Sequence, residues 1–251
     1  MITPKKRIVI VGASSLIAEH YARLWAKNIQ PDFVLLGRNI NKLDSISADL
    51  QVRSPKSKME TICLDFTEAQ AINVVVEKIF QTGLVDIALI AHGTLPDQQE
   101  CQDNLALDQE ALMVNGISPA LFAEAFAGHM ERSNHGSLAI ISSVAGDRGR
   151  KSNYIYGSAK GLVTRYAQGL QHRLANTNVY IGLIKPGPTD TPMTSHLKSK
   201  GLKMSSVTEV AQCIVDGIAK RQRVIYAPKK WALFMMIIRH LPDFIFKRMD
   251  I

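Results

Sequence analysis

Short runs of β-branched and aliphatic residues alternate along the chain with longer stretches whose apolar positions recur every three to four residues. The short runs predict strands at 7–11, 33–36, 60–64, 85–91, 137–142, 179–184 and 223–226. The longer stretches predict helices at about 15–28, 40–52, 68–82, 103–129, 153–176 and 207–220. Helix 15–28 shows the pattern well, with Leu16, Ile17, His20, Tyr21, Leu24 and Trp25 forming one stripe. Regular strand–helix alternation predicts an α/β fold, a doubly wound sheet of seven parallel strands with helices on both faces. The expected organisation is one dinucleotide-binding domain over 1–228 and a C-terminal helical extension over 229–251.

Composition narrows this only a little. A chain of 251 residues with 46% hydrophobic content can bury one large core. Cys63, Cys101 and Cys213 are odd in number and lack any CxxC spacing, which argues for a reducing compartment and against disulfides or a metal site. Lys5-Lys6-Arg7 and the apolar residues after it imitate a signal peptide, but Gly12 to Ser15 break the run. No stretch of 18 apolar residues is present, so no transmembrane helix is expected. The cytoplasm is the expected location. Charge changes the picture more, because the last 32 residues carry +6 of the net +8. No nucleic-acid motif accompanies that excess, and an anionic membrane face is the alternative partner.

Tyr156-Gly-Ser-Ala-Lys160 puts a phenol and an ammonium one above the other on a helix. A phenol of pKa near 10 shuttles protons at neutral pH only where a positive charge stabilises its phenolate. Lys160 can supply that charge, and Ser143 can hydrogen-bond an oxygen undergoing reduction or oxidation. Such a set suits proton transfer coupled to hydride transfer. Tyr154 has no such partner, since Ser158 stands four residues on.

The cofactor half is read from the first strand–helix junction, Gly12-Ala13-Ser14-Ser15-Leu16-Ile17-Ala18. A dinucleotide fold sets its pyrophosphate against such a helix N-terminus. Leu16 and Ala18 stand where glycines are usual; Ser14 and Ser15 either donate to phosphate or cap the helix. After the second strand, Arg38 and the lack of an acid favour NADP(H) over NAD(H). Asp65, before Phe66, either accepts from an adenine amino group or caps the next helix.

In order, Gly12, Asp65, Ala91-His92-Gly93, Asn115, the Ser143–Tyr156–Lys160 set and Pro186-Gly187-Pro188-Thr189-Asp190-Thr191 make the chain resemble the short-chain dehydrogenase/reductase family over essentially its whole length. The resemblance implies a three-layer Rossmann fold, NAD(P)-dependent carbonyl–alcohol chemistry and a homo-oligomer. It implies that Asn115 completes a proton relay with Lys160 through a water. It also implies that Ser14, Ser15, Leu16, Ile17, Phe66, Ala91, His92, Gly93, Pro186, Gly187, Thr189 and Thr191 line the cofactor site, with the two threonines at the nicotinamide carboxamide and pyrophosphate. Segments 146–160, 193–198 and 226–242 are similar to one subgroup, reductases of 2-keto pentoses linked to polyprenyl phosphates in cell-envelope biosynthesis. That subgroup works after a flavin oxidase partner.

The residues of those segments suit an anionic amphiphile. Arg148, Arg150 and Lys151 form a cation cluster for a phosphodiester, or else a solvated loop or oligomer contact. His196, Lys198, Lys200 and Lys203 follow Thr191 on a segment that is either a lid or a polar surface. Trp231 to Ile238 is apolar all round, too short to span a bilayer and flanked by Lys229, Lys230, Arg239, Lys247 and Arg248. It suits a peripheral contact with the inner face of the cytoplasmic membrane, or burial against the domain or a second subunit. Reduction of another lipid-like ketone, of the 3-ketoacyl or sterol kind, is the alternative activity. A non-catalytic NADP-binding scaffold is the alternative role.

Overall fold

Seven strands form one parallel sheet: β1 (Arg7–Val11), β2 (Asp32–Gly37), β3 (Met59–Cys63), β4 (Ile87–Ile90), β5 (Ser137–Ile141), β6 (Tyr180–Pro186) and β7 (Val224–Ala227). Their order is β3-β2-β1-β4-β5-β6-β7. This computed structural model describes residues 5–195 and 203–249. The sequence positions His196, Lys198 and Lys200 lie outside the described residues. The α-helices among the described residues are α1 (Leu16–Ile29), α2 (Ile40–Arg53), α3 (Ala69–Gln81), α4 (Gln98–Asp103), α5 (Leu105–Leu112), α6 (Ser118–Ser133), α7 (Tyr154–Arg173), α8 (Val207–Ala219), α9 (Lys230–His240) and α10 (Asp243–Phe246).

The central strands contain near-continuous apolar runs because both faces of the sheet are covered there, whereas edge strand β3 carries Glu60 and Thr61 and is only partly buried. In β1, Ile8 and Ile10 join Tyr21, Trp25, Phe33 and Leu43 under α1, α2 and α8. Val9 and Val11 face the other way and join Ile72, Val76, Phe122 and Phe126 under α3, α6 and α7. β1 pairs with β2 on one side and with β4 on the other. The chain therefore winds outward in opposite directions from β1. This opens a crevice at the strands' carboxyl ends, where such sheets bind ligands.

The helix expected at 103–129 differs in an informative way. Asn104 is extended and caps α5 through its side chain, so the helical path starts at Leu105 and runs to Ser133. It is interrupted by a π turn at Met113–Ile117, closed by the Ser118 N–H donating to the Met113 carbonyl. Pro119 offers no N–H to the Asn115 carbonyl four residues back, and its ring crowds that carbonyl. The widened turn is the local solution. The path is long and apolar enough to cross a membrane, but it is mostly buried within the fold as a core helix.

Candidate active site

β5 and α7 bring the catalytic set together. Ser143 follows β5 and caps the 3-10 turn Val144–Asp147, its hydroxyl accepting from the Ala145 N–H at 3.1 Å. Tyr156 lies in the first turn of α7 and hydrogen-bonds Ser143. Lys160 lies one turn further, buried, and donates to the Ile141 carbonyl at 3.2 Å. Its Nζ stands 5.8 Å from the centre of the Tyr156 ring. Ser142 locks the arrangement from below by donating to the Lys160 carbonyl at 2.8 Å and bonding Thr164 at 3.0 Å. Nothing in the local sequence marked Ser142 or Thr164 for this role.

Burial governs the electrostatics. It raises the Tyr156 phenol, while the Ser143 hydrogen bond and the positive charge of Arg150 pull it down. It lowers the Lys160 ammonium from 10.5 to about 8. Arg150 thus stands near enough for its charge to act on the reacting phenol, and burial lowers its own pKa. Its Nε is buried and has no hydrogen-bond partner among the described residues.

Asn115 sits in the π turn, fully buried. Its Oδ1 accepts from the Thr94 N–H at 2.8 Å, and its Nδ2 donates to the Ala111 carbonyl at 3.0 Å and to Thr94 Oγ1 at 3.2 Å. A Cβ at Gly93 would stand 2.8 Å from Asn115 Oδ1 and 3.5 Å from Lys160 Nζ. A side chain at 93 would thus fill the space in front of the catalytic set.

A cleft of about 930 Å³ runs along the carboxyl ends of the strands. Its walls include Gly12, Ser14, Ser15, Leu16, Ile17, Arg38, Phe66, His92, Gly93 and Thr191, together with Lys42 and Thr67, which sequence reasoning missed. Ser15, Ile17, His92, Gly93 and Thr191 continue into a recess of about 90 Å³. Ala91, Asn115, Ser143, Tyr156, Lys160, Pro186, Gly187 and Thr189 line that recess. Cofactor and catalytic positions thus share one continuous surface. Gly12, at φ +83°, turns the chain where a Cβ would stand 2.6 Å from the His92 backbone nitrogen. Ser15 makes no side-chain cap on α1, which leaves the helix N-terminus open for an anion. The recess, the open helix end and the cations at the cleft's far end together fit a phosphorylated dinucleotide. Leu16 and Ala18 are accommodated inside α1, with Ala18 fully buried in the core.

Two sequence readings change here. Asp65 accepts from the Thr67 N–H at 2.9 Å and the Thr67 hydroxyl at 2.8 Å through one carboxylate oxygen, and it is not the cap of α3, a position held by Glu68. Arg148 turns away from the recess. Its guanidinium donates to the Ile238 and Leu241 carbonyls, each at 2.6 Å, pairs with Asp243 at 2.9 Å and stacks on Phe246 at 3.8 Å. It is a latch for the C-terminal segment, because the last carbonyls of α9 need donors from outside the helix. Lys151 is exposed. His92 packs its ring against Phe66 and Phe122 and bonds Ser118 at 2.8 Å. Burial, with Lys160 and Arg38 nearby, lowers it to about 3 and keeps it neutral.

The family description "short chain dehydrogenase" matches residues 6–201. The chain belongs to the short-chain dehydrogenase family. It is 29% identical over 245 residues to an uncharacterized oxidoreductase of Mycobacterium tuberculosis, covering 96% of each chain. An uncharacterized oxidoreductase of Streptomyces coelicolor is 25% identical over 247 residues, covering 98% of this chain and 96% of the relative. Among solved structures, a short-chain dehydrogenase from Sphingobium yanoikuyae in complex with NADPH aligns with a TM-score of 0.82 at 22% identity, covering 95% of this chain and 96% of that one. A bulky-bulky ketone specific alcohol dehydrogenase from Comamonas testosteroni aligns at 0.80 and 22%, covering 96% of each. The short-chain dehydrogenase described here is an NAD(P)-dependent oxidoreductase.

Proposed function

We propose that this short-chain dehydrogenase is an NADPH-dependent ketone reductase whose substrate carries a phosphodiester, a 2-keto pentose linked to a polyprenyl phosphate. The convergence of Ser143, Tyr156, Lys160 and Asn115 on one recess carries the reductase reading. A bound nicotinamide supplies the hydride. Tyr156 gives its proton to the carbonyl oxygen, Ser143 orients that oxygen, and the Lys160 ammonium favours the phenolate left behind. The Asn115 side-chain amide is committed to Thr94 and Ala111. Any proton relay from Lys160 therefore runs through the Asn115 main-chain carbonyl, which Pro119 deprives of its ordinary helical donor.

Arg38 and Lys42, on the cleft wall beyond the helix N-terminus, support a 2′-phosphate and hence NADP(H). The NADPH complex of the Sphingobium enzyme agrees with this. Arg38→Leu is expected to raise the KM for NADPH by roughly 10- to 100-fold and to leave that for NADH nearly unchanged. Equal effects on both cofactors would remove the preference. For the substrate, the support is Arg150, whose charge reaches Tyr156 and whose buried Nε has no hydrogen-bond partner among the described residues, together with the similarity of segments 146–160 and 226–242 to polyprenylphosphoryl ketopentose reductases.

The deciding assay follows NADPH oxidation with a 2-keto polyprenylphosphoryl pentose beside neutral 3-ketoacyl and sterol ketones. Preference for the phosphate-bearing ketone, lost in Arg150→Leu, is the expected result. Equal turnover of the neutral ketones, unaffected by that substitution, would instead identify a reductase of uncharged lipid ketones.

A further inference from the structure

We propose that α9 and α10 form a docking surface for an anionic lipid bilayer. The segment is fixed to the domain and not a loose arm. Trp231, Met235 and Ile238 recur at helical spacing on its inner side, with Met235 buried and the Trp231 indole lying directly against Gly187. Arg148 latches its far end through the Ile238 and Leu241 carbonyls, Asp243 and Phe246. With the inner side so held, the outer side is a permanent feature of the surface.

That outer side is apolar. Leu233, Phe234, Met236 and Ile237 on α9, with Phe244 and Ile245 on α10, are between 41% and 68% exposed. Scattered apolar residues need no explanation, but six on two consecutive short helices mark an interaction site. Lys229, Lys230, Lys247 and Arg248 are exposed beside them. The one described acidic residue of the segment, Asp243, is paired with Arg148.

Charge decides between occupants. Two copies of this face pressed together would bring their exposed cations into the same interface, where like charges repel. An anionic headgroup layer neutralises the cations while the Phe and Leu side chains enter the acyl boundary. The same arrangement holds the enzyme at the surface through the loop that bears Arg150. The docking surface rests on the C-terminal segment alone and does not depend on the substrate proposed above.

The test uses the full chain with vesicles of phosphatidylglycerol and phosphatidylcholine, and of phosphatidylcholine alone, read by cosedimentation. Oligomeric state is read in parallel by light scattering. The protein is expected to sediment with the anionic vesicles. Leu233→Ser/Phe234→Ser/Phe244→Ser should weaken that partition about tenfold or more and leave oxidation of NADPH by a small water-soluble ketone unchanged. Lys247→Glu/Arg248→Glu, which leaves the apolar side chains in place, should abolish the preference for anionic vesicles. No cosedimentation of the parent would overturn the proposal, as would unchanged partition of both variants. A triple variant that dissociates an oligomer and still binds vesicles would assign the face to a second copy instead.

Discussion

Tyr156→Phe is expected to reduce kcat by about 10²- to 10⁴-fold, the range a positioned proton donor supplies, with the Kd for NADPH nearly unchanged. In the proposed reaction the phenol meets the substrate oxygen through its hydroxyl alone, and a phenylalanine ring keeps the packing of the first turn of α7. Removing the hydroxyl therefore removes the proton without removing the fold. Stopped-flow turnover and fluorescence titration of NADPH separate the two quantities. Full turnover in the variant would place the proton donor elsewhere. The parent's pH profile gives a second reading of the same site. Burial lowers the Lys160 ammonium from 10.5 to about 8, so its charge is present below that pH and lost above it. The kcat/KM for ketone reduction should fall as pH rises through about 8. A profile flat to pH 10 would show that the ammonium keeps its proton in the working enzyme.

The parts of this molecule that are legible in its sequence are those set by local periodicity. The central strands contain short runs such as Ile8-Val9-Ile10-Val11, apolar at successive positions because the two faces of the sheet bury alternate residues. The Tyr156–Lys160 pair is legible for the same reason, since one turn of α7 sets both the spacing and the contact. What the sequence hides is long-range. Arg148 reads as one cation of a basic cluster, yet its partners lie 90 and more residues downstream. Its neighbour Arg150 instead acts on Tyr156 through its charge, and nothing in the order Arg-Gly-Arg distinguishes the two. The π turn is intermediate. Pro119 inside an apolar helical pattern signals an interruption, but its form depends on Asn115 finding Thr94 and Ala111.

The contact least visible in the sequence should carry a large energetic effect. Asp147 ends the turn that begins at Ser143, and it pairs with Lys185, immediately before the Pro186-Gly187 that lines the recess. Both side chains are at most 5% exposed. The second Asp147 oxygen accepts from the Tyr226 hydroxyl at 2.8 Å, and burial together with that carboxylate raises the Tyr226 phenol to about 12. One carboxylate thus joins the catalytic turn, the end of β6 and β7. Asp147→Ala leaves the Lys185 charge buried without a counter-charge, which costs about 3–5 kcal/mol. Urea unfolding should show that loss, and kcat should fall with it as the Ser143 turn loosens. Asp147→Leu/Lys185→Met removes both charges, and its stability should return most of the way to the parent value, because an apolar pair replaces a buried ion pair at little cost. If kcat recovers along with stability, the pair acts as scaffold for Ser143. If stability recovers and kcat does not, the charge of Asp147 or Lys185 acts on the recess itself. A single variant within about 1 kcal/mol of the parent, the scale of a solvent-exposed pair, would show that the turn is held by packing on α7 alone.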